Sequence, residues 1–398
     1  MKPLTLLVAF LAAAACARSD GGERYGFAAR LGNDTVSLES VTRHGNTLTS
    51  DEVDRFPILR KRHTVVTLGP AGEIRRLVME VYTPSEPANQ RDRKVVADVG
   101  TDSVIMTKRD GATNYRWAFA TRGGTAMAHV PQMYSLYELY LDAALARGRR
   151  LNVPVNDTVQ MRQFYIDREF DRFPLHRGIV WDRGGGKLEI AHDWLSGIAE
   201  ATLDSNGRLV GWNGHRTTYQ VNVERLATPP NVDSVAARWT AHEASTGVRQ
   251  LSVRDTMRAS IGKAALTVDY SRPLARGRTL LGDVIAYDRV WRTGANAATQ
   301  FSTTAPITLA GIRMPAGTYT LWTLPHQKGA DLIVNNQFGQ WGTSYDASRD
   351  IGKAPLQIAS TAQPVEAFTI SVQSQDARRG TLVLEWGPFR WTAPIVVP

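Results

Sequence analysis

The sequence predicts a mainly β protein of two domains: an N-terminal curved antiparallel sheet or half-barrel with one helix, and a C-terminal β-sandwich-like domain. Three observations carry this. Strand-length segments separated by Gly, Pro and Asn turn signals run through most of the chain. Only one stretch, 131–149, has a clear helical period. A proline-led polar run at 227–247 breaks the strand rhythm, and a chain of 398 residues exceeds what a single core usually holds.

The first residues, "MKPLTLLVAFLAAAACARSD", read as a processing signal. Lys2 supplies the positive end and Leu4 to Ala15 the apolar core, which is shorter than the roughly 20 residues a bilayer span needs. Ala13, Ala14 and Ala15 before Cys16 resemble a bacterial lipobox, although Ala13 stands where leucine is usual. The resemblance implies cleavage before Cys16, acylation of that cysteine and, with Ala17 next, outer-membrane sorting. Cys16 is the sole cysteine, so lipidation also consumes the only thiol of an exported chain. The expected division is 1–15 signal peptide, 16–23 tether, 24–227 N-terminal β domain, 228–247 linker and 248–398 C-terminal β domain.

Along the N-terminal domain, Gly69-Pro70-Ala71-Gly72 predicts a hairpin, and Asn206-Gly207 and Asn213-Gly214 predict two further turns. Tyr219, Val221 and Val223 alternate with Gln220, Asn222 and Glu224, the period of a half-exposed strand. The helix is "PQMYSLYELYLDAALARGR", with Pro131 suited to the first turn, a stripe from Tyr134 to Leu145, and Gly148 as its end. A curved sheet covered by one helix resembles, in architecture alone, the half-barrels of periplasmic lipid carriers and lipoprotein chaperones. The string Asp-Arg-Phe-Pro occurs twice, at 54–57 and 171–174.

The C-terminal domain carries ordered motifs: "SVRDTMRASIG" at 252–262, "VDYSRPLARGRTLLGD" at 268–283, "VWRTGANAAT" at 290–299, "MPAGTYTLWTLP" at 314–325, "NNQFGQWGTSYD" at 335–346 and "TLVLEWGPFRWTAPI" at 381–395. Together they resemble a bacterial exported family, domain of unknown function 2911. That resemblance implies an exported, mostly β domain and brings no catalytic residues with it.

Between 269 and 292 stand five arginines and three aspartates. Arginine offers a rigid donor fork suited to carboxylate or phosphate. Two arrangements are compatible with this composition. In one, Arg292 pairs with Asp269 or Asp283 and Asn296 satisfies backbone groups in a buried turn. In the other, Arg272, Arg278 or Arg292, with Asn296, clamps an anionic or polyhydroxylated ligand beside a wall of Trp322 and Trp341.

Signals for chemistry are sparse. No Gly-x-Ser-x-Gly elbow, phosphate loop or His-Glu-x-x-His motif occurs, and the eight histidines stand at no metal-ligand spacing. His192-Asp193 is the nearest acid–base pair, but strand neighbours face opposite ways. "RGGGK" at 183–187 reads as a hairpin loop. The net charge of +9 is dispersed among acids and fits anionic envelope polymers or lipid headgroups better than nucleic acid. The expectation is a lipoprotein of the bacterial envelope with a non-catalytic binding or structural role, needing neither cofactor nor metal. Two alternatives stand beside it: a hydrolase using Asp283 or Asp269, and a carrier of lipid in the half-barrel.

Overall fold

The computed structural model describes residues 22–121, 126–166, 175–193, 195–247 and 250–398. The second Asp-Arg-Phe-Pro string, like Cys16, lies outside them. The N-terminal strands are β1 (Glu23–Leu31), β2 (Asp34–His44), β3 (Thr47–Arg55), β4 (Leu59–Leu68), β5 (Ile74–Tyr82), β6 (Asp92–Val99), β7 (Ser103–Asp110), β8 (Thr113–Ala120) and β9 (Ala126–His129). Helix α1 (Tyr134–Arg150) follows, then β10 (Thr158–Tyr165), β11 (Leu175–Gly184), β12 (Lys187–His192), β13 (Ala199–Leu203), β14 (Leu209–Asn213) and β15 (Asn222–Leu226). All belong to one sheet, ordered β8-β7-β6-β5-β4-β3-β2-β1-β15-β14-β13-β12-β11-β10-β9. Neighbours are antiparallel except β9 and β10. The sheet is two meanders fused where β1 pairs with β15, Phe27 standing opposite Arg225. Period-2 burial is plain in β5, where Leu77, Met79 and Val81 are buried between exposed Arg76, Glu80 and Tyr82.

Helix α1 lies inside this curved sheet. Its residues from Tyr134 to Leu141 are all buried, and a run that long without an exposed position has protein on every side. An enclosed helix start needs partners for its free N–H groups, yet Met133 at the cap supplies none. The Glu39 carboxylate on β2 takes their place: one oxygen accepts from the amides of Tyr134 at 2.8 Å and Ser135 at 3.1 Å. The other accepts from Ser50 Oγ at 2.6 Å and from the Ser135 hydroxyl. A negative charge there also complements the helix dipole. Burial pushes the Glu39 carboxyl above its ordinary range, while these hydrogen bonds pull it back. Four residues on, Glu138 ties the helix to the fused centre of the sheet, accepting from Tyr25 Oη at 2.8 Å, the Leu209 amide at 3.0 Å and Arg225 at 2.8 Å.

Three local expectations need correction. The helix begins at Tyr134, so Pro131 precedes it instead of opening its first turn. Gly148 lies within the helix, not at its end; a Cβ there would come within 3.2 Å of Val159 Cγ2, so the glycine allows close approach to β10. The strand expected across Tyr219 to Val223 begins only at Asn222. Before it, Thr217 Oγ1 accepts from the Tyr219 and Gln220 amides, a local turn that outcompetes the ladder.

The run expected as a linker contains α2 (Val232–Thr246), capped by Asn231 accepting from the Ser234 amide at 2.9 Å. Val232 and Val235 pack on Val53 and Leu59, on the sheet face opposite α1, and the Arg55 guanidinium lies 4.2 Å from the Trp239 ring.

The C-terminal unit comprises β16 (Ser252–Ile261), β17 (Ala264–Pro273), β18 (Thr299–Thr303), β19 (Ile307–Leu309), β20 (Ile312–Met314), β21 (Gly317–His326), β22 (Gly329–Asn335), β23 (Asp350–Pro355), β24 (Gln357–Ser374) and β25 (Arg379–Val396). They form a six-stranded sheet, β16-β17-β18-β21-β22-β23, and a four-stranded sheet, β20-β19-β25-β24. Both contribute to one core: Val268, Phe301, Leu321 and Leu332 meet Ile370, Leu384, Trp386 and Trp391. This is the expected sandwich-like arrangement.

The units meet at the loop after β17. Arg276 Nε donates to Asp34 Oδ2 at 2.7 Å, and the Asn33 amide donates to the Arg276 carbonyl at 2.9 Å. Arg278 reaches Gln220 Oε1 at 2.9 Å, and Gln220 Nε2 donates to the Val284 carbonyl at 3.1 Å. Gly32 and Gly277 permit this seam, since both have positive φ and a Cβ on either would collide across it.

Replacing Glu39 by Ala strands two buried amides at the start of α1. At the usual cost of an unsatisfied buried group, Glu39→Ala lowers unfolding stability by about 2–4 kcal/mol. A shifted urea midpoint with an unchanged slope is the expected readout; a shift under roughly 0.5 kcal/mol contradicts the capping role.

Candidate functional site

The charged residues singled out from sequence divide into satisfied and unsatisfied groups. Asp269 is held by Arg254 in a two-point contact, Nε to Oδ1 and Nη2 to Oδ2 both at 2.8 Å. Arg272 donates to Asp255 at 3.2 Å, the Phe368 carbonyl at 3.1 Å and Thr369 Oγ1 at 2.9 Å, binding β17 to β24. Arg278 adds the Leu274 carbonyl at 2.7 Å to its Gln220 contact; burial pulls its guanidinium down to about 10, and nearby Asp283 opposes that. Arg272 and Arg278 are therefore structural ties. The expected pairing of Arg292 with Asp269 or Asp283 is not formed, because those carboxylates lie beside other arginines.

Trp322 is not a ligand-facing wall. It is 1 % exposed, its Nε1 donates to Thr320 Oγ1 at 3.0 Å, and its ring lies 4.9 Å from Tyr345. It forms a small core with Ala298 and Ile333 beneath the 290s loop.

Arg292, Asn296 and Trp341 do come together. Trp291 pairs with Thr323 of β21, which anchors the loop's start. Thr299 Oγ1 donates to the Thr293 carbonyl at 2.6 Å and closes it. Thr293 and Asn296 have positive φ, and asparagine tolerates that better than most residues. The 340s loop clasps this turn: Ala297 bridges Trp341, and the Gly342 amide donates to the Asn296 carbonyl at 3.0 Å. Gly342 has no side chain because the stem of Arg292 crosses its Cβ position.

The Arg292 guanidinium is half-buried, and its Nε is covered without any hydrogen-bond partner. Burial alone pulls its pKa down, and no carboxylate among the described residues raises it. Trp341 beside it is 56 % exposed and Phe338 61 %, both on one short loop. A cation partly removed from water and lacking an anion is costly, and a bound anion removes the cost.

A second polar group lies under the N-terminal sheet, where sequence reasoning saw only scattered histidines. His129 of β9 and His192 of β12 are buried with ring centroids 4.9 Å apart. Tyr137 Oη lies 3.0 Å from His192 Nε2, while His129 Nε2 and His192 Nδ1 have no partner. Desolvation holds His129 well below its ordinary range and His192 down to about 3. Asp193, just past the end of β12, instead reaches His176 Nδ1 at 3.4 Å. The fused sheet order brings the pair together, and no local spacing encodes it. In the C-terminal unit, His326 sits between Asp288 at 2.8 Å and Asp331 at 3.4 Å; the Asp288 hydrogen bond raises its pKa. Among the described residues no group of three or more His, Cys, Asp or Glu side chains has metal-binding geometry.

Fold and site together define a mainly β protein of two docked units, the second a sandwich bearing an arginine–tryptophan loop pair. Residues 252–395, the whole of that sandwich, match the family described as "Protein of unknown function (DUF2911)". The resemblance seen in the motifs of the C-terminal half is thus confirmed over that region. No curated protein matches the chain. Among solved structures, a DUF1089 family protein from Pseudomonas aeruginosa is similar at 12 % identity and a TM-score of 0.31, over 44 % of this chain and 89 % of that one. A β-barrel-like protein of domain of unknown function DUF1849 from Brucella abortus is similar at 7 % identity and a TM-score of 0.28, over 51 % of this chain and 93 % of that one. Likenesses at these scores carry no argument about the site.

Depressed in the folded state, the buried histidine pair contributes acid sensitivity to the fold. A histidine whose folded pKa is depressed contributes stability that is complete above its unfolded value, about 6.5, and lost as pH falls toward the folded one. Loss of this contribution lowers the urea midpoint between pH 7 and pH 4, against the opposite pull of the buried Glu39, Glu52 and Asp142 carboxyls, whose pKa values are raised. His192→Gln should flatten that decline; an equally steep decline in the variant assigns the acid sensitivity elsewhere.

Proposed function

We propose that this protein is a non-catalytic binding protein of the bacterial envelope, anchored by lipid at Cys16, whose C-terminal unit receives an anionic or polyhydroxylated ligand at Arg292. One observation carries the reading: Arg292 is a half-buried guanidinium with a covered Nε and, among the described residues, no anionic partner, held in place by two clasped loops. Asn296 is exposed next to it and offers both an amide donor and a carbonyl acceptor. Trp341 adds an open aromatic face suited to sugar rings or other planar groups. The binding reading is preferred over hydrolysis because Asp269 is neutralised by Arg254 in a two-point ion pair, and Asp283 stands by the Arg278 guanidinium. It is preferred over a lipid carrier because α1 fills the space beneath the N-terminal sheet. The envelope location rests on the signal-like start of the chain, with Cys16 as the acylation site.

Titrating the full chain with sugar acids such as glucuronate, followed by tryptophan fluorescence, tests the site. Wild type should saturate, and Arg292→Ala should weaken binding at least tenfold at unchanged melting temperature. Arg292→Lys should retain part of the affinity, since it keeps charge and loses the fork. Equal affinity in wild type and Arg292→Ala overturns the assignment. Separately, incorporation of a palmitate analogue should vanish in Cys16→Ser.

A further inference from the structure

We infer that the outer face of the N-terminal sheet carries a second, independent site, a hollow between β10 and β11 that binds a single phosphoryl group through Arg147, Arg162 and Arg177. In the β10–β11 ladder, Arg162 stands directly opposite Arg177, and Gln160 opposite Ile179. Directly opposed residues project from the same face of a sheet. Met161 and Gly178, one step along, face the other way: Met161 lies in the core, and a Cβ on Gly178 would collide with the Tyr140 hydroxyl of α1. Gln160, Arg162, Arg177 and Ile179 are thus four corners of a hollow floored by the Met161 and Gly178 backbone.

The hollow measures about 90 Å³ and is lined by these residues together with Arg147 of α1. Among the described residues β9 pairs with positions 162–165 of β10, and Arg147, near the C-terminal end of α1, borders the hollow. One water occupies roughly 10–15 Å³ on this measure, so the space suits a compact ion and excludes a bulky one.

The charge balance of this hollow is the reason to assign it a ligand. Among the described residues three arginines line it, and no aspartate or glutamate does. None of the three makes an ion pair among the described residues, and Arg147 Nε is buried without a hydrogen-bond partner. Like charges directly opposite each other destabilise a β ladder, so the Arg162–Arg177 pair works against the fold in isolation. A tetrahedral oxyanion reverses the sign of that interaction and offers acceptors to several N–H forks at once. The same chemistry serves inorganic phosphate, a soluble phosphomonoester and the headgroup of phosphatidic acid.

Thermal unfolding and calorimetric titration of the full chain test the site, with chloride at matched ionic strength as control. Inorganic phosphate or glycerol 3-phosphate should raise the melting temperature saturably, and chloride should not. Arg162→Gln with Arg177→Gln should weaken binding at least tenfold. Arg162→Lys with Arg177→Lys, which keeps the charge, should weaken it less. In phosphate-free buffer, Arg177→Gln should be at least as stable as wild type, because it relieves the opposed charges; a clear loss of stability there makes the pair structural and overturns the proposal. Arg292→Ala should leave phosphate binding unchanged, which separates this site from the one in the C-terminal unit. Binding of the soluble phosphates identifies a soluble ligand, and binding only to vesicles containing phosphatidic acid, but not phosphatidylcholine, identifies a lipid headgroup. Absence of saturable binding to all of these probes, or affinity retained within twofold in the double Gln variant, overturns it.

Discussion

A carboxylate meets the start of a helix that has no access to water. Glu39 satisfies two backbone amides of α1 while accepting from two serine hydroxyls, and Glu138 fastens the same helix to β1, β14 and β15. Without these two acids the sheet would enclose unsatisfied donors, and the helix could not occupy the interior. Both are buried, so each also fixes a direction: the helix has one orientation in which its free amides face Glu39. The curvature of the sheet follows from wrapping this filled centre. An enclosed Tyr- and Leu-rich helix takes the place that a ligand would have in a hollow half-barrel.

The arginines tell the complementary story on the surface and at the seam. Arg272 at the end of β17 and Arg276 and Arg278 in the loop after it are each consumed by structure: the first binds two strands, the others dock the two units. Arg225 lies 3.5 Å from the centre of the Tyr25 ring and pairs with Glu138, closing the fused centre of the sheet. Against that background an arginine with no ion pair among the described residues is informative. Fixed, partly desolvated cations are retained at a cost to the fold, and ligand binding is the physical circumstance that recovers the cost.

Sequence alone carried the architecture well, because period-2 burial and turn chemistry are local properties. The Gly69–Gly72 hairpin and the Asn206-Gly207 turn appear where composition places them. It carried long-range partnerships poorly. Five arginines and three aspartates within a short span suggested a single cluster, yet Asp269 pairs backward to Arg254 and Arg276 reaches Asp34 in the other unit. Trp322 looked equivalent to Trp341, but one is core and the other open, since burial depends on which loop folds over which strand. The helix boundary slipped for a related reason. Pro131 is a sound local signal for a first turn, but the true start is set by Glu39, distant in sequence. The paired histidines and the opposed Arg162 and Arg177 were invisible, since strand register is what creates them.

The fusion of the sheet at β1 and β15 has a consequence for the order in which the chain acquires structure. β1 can zip to β2 as soon as the first hairpin emerges, but its other edge finds Leu226 and Arg225 only after the whole N-terminal unit has been made. Through that interval the growing protein presents an open edge containing Tyr25 and Phe27, the side chains that later pack on α1 and Arg225. Non-local pairing of this kind is slow and leaves intermediates prone to association. A chain emerging start-first must therefore complete the pairing of its first strand late, after β15 has been made.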